Sequence, residues 1–117
     1  MIQLLEAGQE KGGYEIKMAV VMINIIPLGT NDSSVSKYVA KAIKVLQQEK
    51  VTYEATSMGT TLEGELDEIL PVCRKMHEAV FDDDMKRVVT IIRIDDRRDK
   101  QSTIRGKMQA LEEELTQ

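Results

Sequence analysis

The sequence predicts an α+β domain of element order β-α-β-β-α-β, with one further helix at its C-terminal end. Three observations point there. Residues Ala19 to Pro27 alternate with apolar side chains on both faces, the pattern of a strand covered on two sides. Two stretches with apolar residues at helical spacing, one from about Val35 and one from about Glu65 to Phe81, each lie between strand-like runs. Between those stretches, two short strand-like runs meet at Met58-Gly59-Thr60-Thr61-Leu62-Glu63-Gly64, a hairpin signal.

A chain of 117 residues is long enough for one domain with a real core. With 42% hydrophobic and 31% charged residues it has the composition of a soluble globular protein, and at 3% aromatic its core must be aliphatic and methionine-filled. The net charge of −4 argues against a nucleic-acid partner, which calls for a basic patch. No apolar run reaches the length of a membrane span, so no membrane partner is expected. The single cysteine, Cys73, cannot form an internal disulfide and suits a reducing compartment, so the expected location is cytoplasmic.

Residues 1–17 carry Gly8 and the pair Gly12-Gly13 without periodicity and read as an irregular N-terminal extension; residues 18–117 form the single domain. Lys11-Gly12-Gly13 is also what an in-frame purine-rich ribosome-binding site encodes, which makes Met18 the expected natural start. In the first strand Val21, Ile23 and Ile25 share one face, while Val20, Met22, Asn24 and Ile26 share the other; Pro27 is expected to end it. Asn31-Asp32-Ser33-Ser34 supplies side-chain acceptors for a helix cap; the exposed first amides could hold an anion such as phosphate, but a turn that merely caps itself is the simpler reading. Val35, Val39, Ala42, Ile43 and Leu46 then make the buried stripe of the first helix.

The second strand is expected from Thr52 to Met58 and the third from Thr60 to Glu63, with Gly59 supplying either φ > 0 or a close approach at the reversal. Alternation places Thr61 and Glu63 opposite Thr60 and Leu62. In the second helix Leu66, Ile69, Leu70, Cys73, Met76, His77, Val80 and Phe81 form the apolar stripe, and Pro71 marks a kink or the first turn. Cys73 and His77 have the spacing of metal ligands, but with no second cysteine or histidine a packed core pair is the simpler reading. The last strand spans Lys86 to Arg97, and a charged turn leads to a terminal helix from about Ser102, lined by Ile104, Met108, Leu111 and Leu115.

This order is the split βαβ, or ferredoxin-like, signature. The crossover rule is read as placing the first and third strands parallel at the centre, with both helices on one face. Val21, Ile23, Ile25, Val88, Ile92 and Ile94 then lie under the helices. The second face receives Val20, Met22, Asn24, Ile26, Thr56, Met58, Thr61, Glu63, Val89, Ile91, Arg93 and Asp95. It is half apolar and no helix is expected to cover it, so a second copy of the chain is the natural cover. Its polar members either satisfy one another or leave room for a small polar ligand.

Met18-Ala19-Val20, Pro27-Leu28-Gly29-Thr30, Met58-Gly59-Thr60-Thr61-Leu62-Glu63-Gly64 and Ile94-Asp95-Asp96-Arg97-Arg98-Asp99-Lys100 together resemble the small thiamine-binding protein family, from Met18 to about Leu115. Ser57 departs from the proline expected before Met58. The resemblance implies a ferredoxin-like fold, a homodimer or homotetramer, and thiamine or its hydroxymethylpyrimidine half as ligand, with no other cofactor. Thiamine carries a permanent thiazolium charge that Glu63 or Asp95 could balance, and an aminopyrimidine that a carboxylate, Asn24 and Thr61 could pair with. Met58 and Met22 offer polarizable surface to a flat ring. The expected ligand-binding set is Asn24, Ser34, Thr56, Met58, Thr61, Glu63, Arg93 and Asp95.

Catalysis has little support in the residues. No nucleophile has an adjacent histidine, and Arg93 would hold Glu63 and Asp95 ionised rather than let them work as an acid/base pair. The alternatives to a thiamine binder are a ferredoxin-like regulatory module sensing an amino acid or nucleotide, and a purely structural oligomer.

Overall fold

A computed structural model describes residues 18–29, 35–99 and 103–116. The predicted extension 1–17 and the predicted helix cap Asn31-Asp32-Ser33-Ser34, with the expected ligand-binding residue Ser34, fall outside them. The elements are β1 (Ala19–Leu28), α1 (Ser36–Glu49), β2 (Thr52–Thr56), β3 (Gly59–Gly64), α2 (Leu66–Ala79), β4 (Arg87–Asp96) and α3 (Ile104–Leu115). The four strands form one sheet in the order β2-β3-β1-β4, the ferredoxin-like arrangement with an added terminal helix.

β1 and β3 are neighbours at the centre but run antiparallel, which corrects the parallel pairing expected from the crossover rule. That rule governs strands joined by a helix. Here it makes β1 and β2 parallel across the intervening β3, and the tight β2–β3 hairpin then reverses β3 against both. β4 pairs with β1 along its whole length, whereas β3 reaches only as far as Ile23. The second half of β1 is therefore an edge on that side, where Pro27 is tolerated inside the strand instead of ending it.

The register confirms the two sheet faces. Ala19, Val21, Ile23, Leu62 and Tyr53 lie on the helix side and pack with Tyr38, Ala42 and Leu46 of α1 and Ile69, Val72, Cys73 and Met76 of α2. Each such large side chain contributes about 1.5–3 kcal/mol by leaving water. Two helix stripes are rotated from expectation. Tyr38 and Val72 are buried, whereas Val35, Val39, Leu70 and Phe81 are exposed. α1 begins after Val35, which makes no side-chain cap bond. Pro71 lies in the second turn of α2, not its first.

β4 departs most from the expected burial. Ile92 and Ile94 are on the helix side by register, yet they are 40% and 46% exposed. α1 and α2 pack over the centre of the sheet, and the edge strand extends beyond their cover. Cys73 is fully buried. His77 is half-buried, shares a 2.6 Å hydrogen bond between Nδ1 and Thr90 Oγ1, and packs edge-on to Phe81 with ring centres 5.2 Å apart. Both residues of the metal-spaced pair thus have packing partners of their own.

Candidate functional site

Pairing across the sheet lays the second face out in rows. Asp95, Val20, Glu63 and Thr52 form one; Arg93, Met22, Thr61 and Glu54 form the next; Ile91 and Asn24 lead to Gly59 and Thr56 in a third. The residues expected on this face do lie on it. They divide into two groups with different surroundings.

Asn24, Thr56 and Met58 build the hairpin turn. Thr56 Oγ1 accepts from Met58 N at 3.2 Å and donates to Gly59 O at 3.0 Å, which closes the reversal over Ser57-Met58. Neither turn residue has positive φ; Gly59 does, at 152°, so it begins β3 and is not the turn itself. A Cβ on Gly59 would stand 2.8 Å from Asn24 Nδ2, so the close approach predicted there is real. Asn24 Nδ2 uses that approach to donate to Met58 O, while the Met58 side chain is 79% exposed. A cavity of about 130 Å³ beside this turn is walled by Ile23, Val39, Ile43 and Met76 together with Asn24, Thr56 and Met58, and has no charged residue in its lining.

Glu63 belongs to the other group. It is only 5% exposed, and a carboxyl group buried to that degree needs partners. Its Oε2 accepts from Ile104 N at 2.8 Å, the first amide of α3. The positive end of the helix dipole reinforces that bond. Thr103 completes the helix start by accepting from Gly106 N at 2.9 Å. Lys107 Nζ reaches Asp95 Oδ2 at 2.5 Å, so Asp95 pairs with α3 and not with Arg93. These links seat α3 on part of the second face, which corrects the expectation that no helix covers it. α3 has no buried residue and leaves Met108, Leu111 and Leu115 exposed.

Between α3 and β2–β3 lies a cavity of about 710 Å³, within the range of small-molecule sites. Its charged walls are Glu54, Glu63, Glu112 and Arg105, and Thr52, Tyr53, Met108 and Gln109 contribute further polar and polarizable surface. An excess of carboxylate gives it an affinity for cations. Glu63 and Asp95 stand two strand spacings apart, about 10 Å, too far to share a proton. Thr61 and Arg93 occupy the adjoining row.

Thr52, Glu54, Arg105, Gln109 and Glu112 are absent from the set expected on sequence grounds. Thr52 and Glu54 carry a signal, since they alternate with Tyr53 on the face of Thr56. The α3 residues carry none, because nothing in their spacing says which surface the helix covers. Within the family motif at the end of β4, Arg97 grips Asp99 at 2.5 and 2.9 Å, and Arg98 meets Asp96 at 3.0 Å. The Asp99 partner raises the Arg97 pKa above its ordinary value.

Comparison with known proteins places this arrangement in context. The family model described as thiamine-binding protein matches residues 21–112. A UPF0045 protein of Bacillus subtilis is 43% identical over 102 residues, covering 84% of this chain and 98% of its own. A hypothetical protein of Methanocaldococcus jannaschii, solved by crystallography, superposes with a TM-score of 0.76 at 44% identity over 84% of this chain and 99% of its own. A Thermotoga maritima protein, described as a candidate thiamine biosynthesis or salvage protein, shares the fold with a TM-score of 0.68 at 24% identity over 80% of this chain and 98% of its own.

Proposed function

This chain belongs to the thiamine-binding protein family, and from that premise we propose that it is a non-catalytic binding protein for thiamine or its hydroxymethylpyrimidine half. The ligand sits in the cavity between α3 and the second sheet face. The observation that carries the reading is the set of three carboxylates, Glu54, Glu63 and Glu112, around about 710 Å³ of space. A thiazolium cation is matched to such a wall, and the buried Glu63 is the strongest single partner because charge-assisted contacts gain where water is scarce. Thr61 and Asp95, on the same sheet face, complete the polar surroundings. Asn24, Thr56 and Met58 act by holding the hairpin that presents β3.

We further propose that the chain works as a homo-oligomer. Val89, Ile91, Ile92 and Ile94 leave apolar surface on both faces of an edge strand, and such strands invite a partner. The test of function is calorimetric titration of the full chain with thiamine and with hydroxymethylpyrimidine. Saturable binding of thiamine that weakens as salt rises supports the reading. Absence of heat, together with no rise in melting temperature at millimolar thiamine, overturns it.

A further inference from the structure

The charges around the α3 cavity are not neutralised by one another. Among the described residues, neither Arg105 nor Glu54 nor Glu112 makes an ion pair or a side-chain hydrogen bond. Arg105 is nevertheless the one cation in a lining that holds three carboxylates. It sits in the first turn of α3, and Glu112 follows seven residues later, about 10 Å further along the helix axis. Arg105 therefore shares the end of the cavity near the start of α3 with Glu63, which bonds the Ile104 amide, and Glu112 lies toward its far end. A ligand that is only a cation would leave the guanidinium without a counterpart. We propose that Arg105 is the specificity-determining residue of this site, and that the ligand it favours is a heteroaromatic cation bearing a phosphate ester. The guanidinium fork matches phosphate oxygens in a bidentate pair, while the carboxylate wall takes the ring charge. This rests on the binding reading above and adds the anionic arm to it.

The experiment is calorimetry on the full chain with thiamine and thiamine monophosphate, for the wild type, Arg105→Gln and Arg105→Lys. Arg105 is exposed, so its pairing is worth a modest preference, roughly five-fold in favour of the monophosphate at low salt. Arg105→Gln is expected to erase that preference, and Arg105→Lys to retain part of it. Equal or weaker binding of the monophosphate by the wild type, with thiamine itself bound, overturns the role of Arg105 alone. Persistence of the preference in Arg105→Gln does the same. Failure of both compounds to bind overturns both the arm and the site.

Discussion

Glu63→Gln separates the two jobs that the geometry gives one carboxylate. Glutamine fills the same space and can still accept from Ile104 N, now at 2.8 Å from a carboxylate oxygen, but it carries no charge. Losing the interaction with the α3 dipole costs about 0.5–1 kcal/mol of stability. A change of that size lowers the melting temperature by roughly 2–6 °C in a chain this long. Losing the charge opposite a thiazolium costs about 1.5–3 kcal/mol of binding, roughly a 10- to 150-fold rise in Kd. Ile104→Pro is the companion variant. It removes the amide that Glu63 accepts from and keeps the charge, and proline is at home in the first turn of a helix. Thr103 before it already has φ −135° and ψ 160°, the extended backbone that a following proline demands. Ile104→Pro is therefore expected to destabilise the chain and to weaken thiamine binding less than Glu63→Gln does, because the charge stays in place. Calorimetry and thermal melts on both variants decide the matter. Thiamine affinity unchanged in Glu63→Gln, with stability lowered, would reduce Glu63 to the anchor of α3 and refute the ligand role.

Three further outcomes are expected. Ile91→Glu, at a position 48% exposed on the second face, leaves the fold intact and dissociates the oligomer, read by light scattering; a monomeric wild type at micromolar concentration refutes the association. Gly59→Ala drives a Cβ to 2.8 Å from Asn24 Nδ2 at a backbone φ of 152°, and denaturant titration is expected to show a loss of about 1–3 kcal/mol. Burial pushes the Cys73 thiol up to about 11 from an ordinary value of 9.0, so the folded chain holds this proton more tightly than the unfolded one. Its contribution of about 2–3 kcal/mol is fully present below pH 9 and is lost as pH rises toward 11, a slope that Cys73→Ala should lack.

The fold is readable in the sequence because two periodicities are clean. Val21, Ile23 and Ile25 alternate against Val20, Met22 and Asn24, and the register keeps them on the faces so assigned. The direction of β3 is not readable from the crossover rule, because no helix joins β1 to β3. The rotation of α1 is hidden by Tyr38, whose ring is buried under the flanking Lys37 and Lys41 ammonium groups. An amphipathic tyrosine counts as surface in a pattern built on aliphatic residues alone, and a cation over its face makes burial favourable.

The site is half readable for a different reason. Alternation tells which side chains share a sheet face, so Thr61, Glu63, Arg93 and Asp95 group together from strand periodicity alone. It says nothing about what lies across from that face. α3 has a weak apolar stripe with no buried member, and it is held by the Ile104 amide and the Lys107 ammonium more than by packing. Neither contact leaves a periodic trace: one donor is backbone, and the other is a lysine among many. The buried charge of Glu63 is the available clue. A glutamate on a half-apolar strand face must find a donor, and the first amide of the one remaining helix is the candidate that hydrogen-bond accounting requires. Once that bond seats α3, the cavity and its carboxylate wall follow from the positions of Glu54 and Glu112.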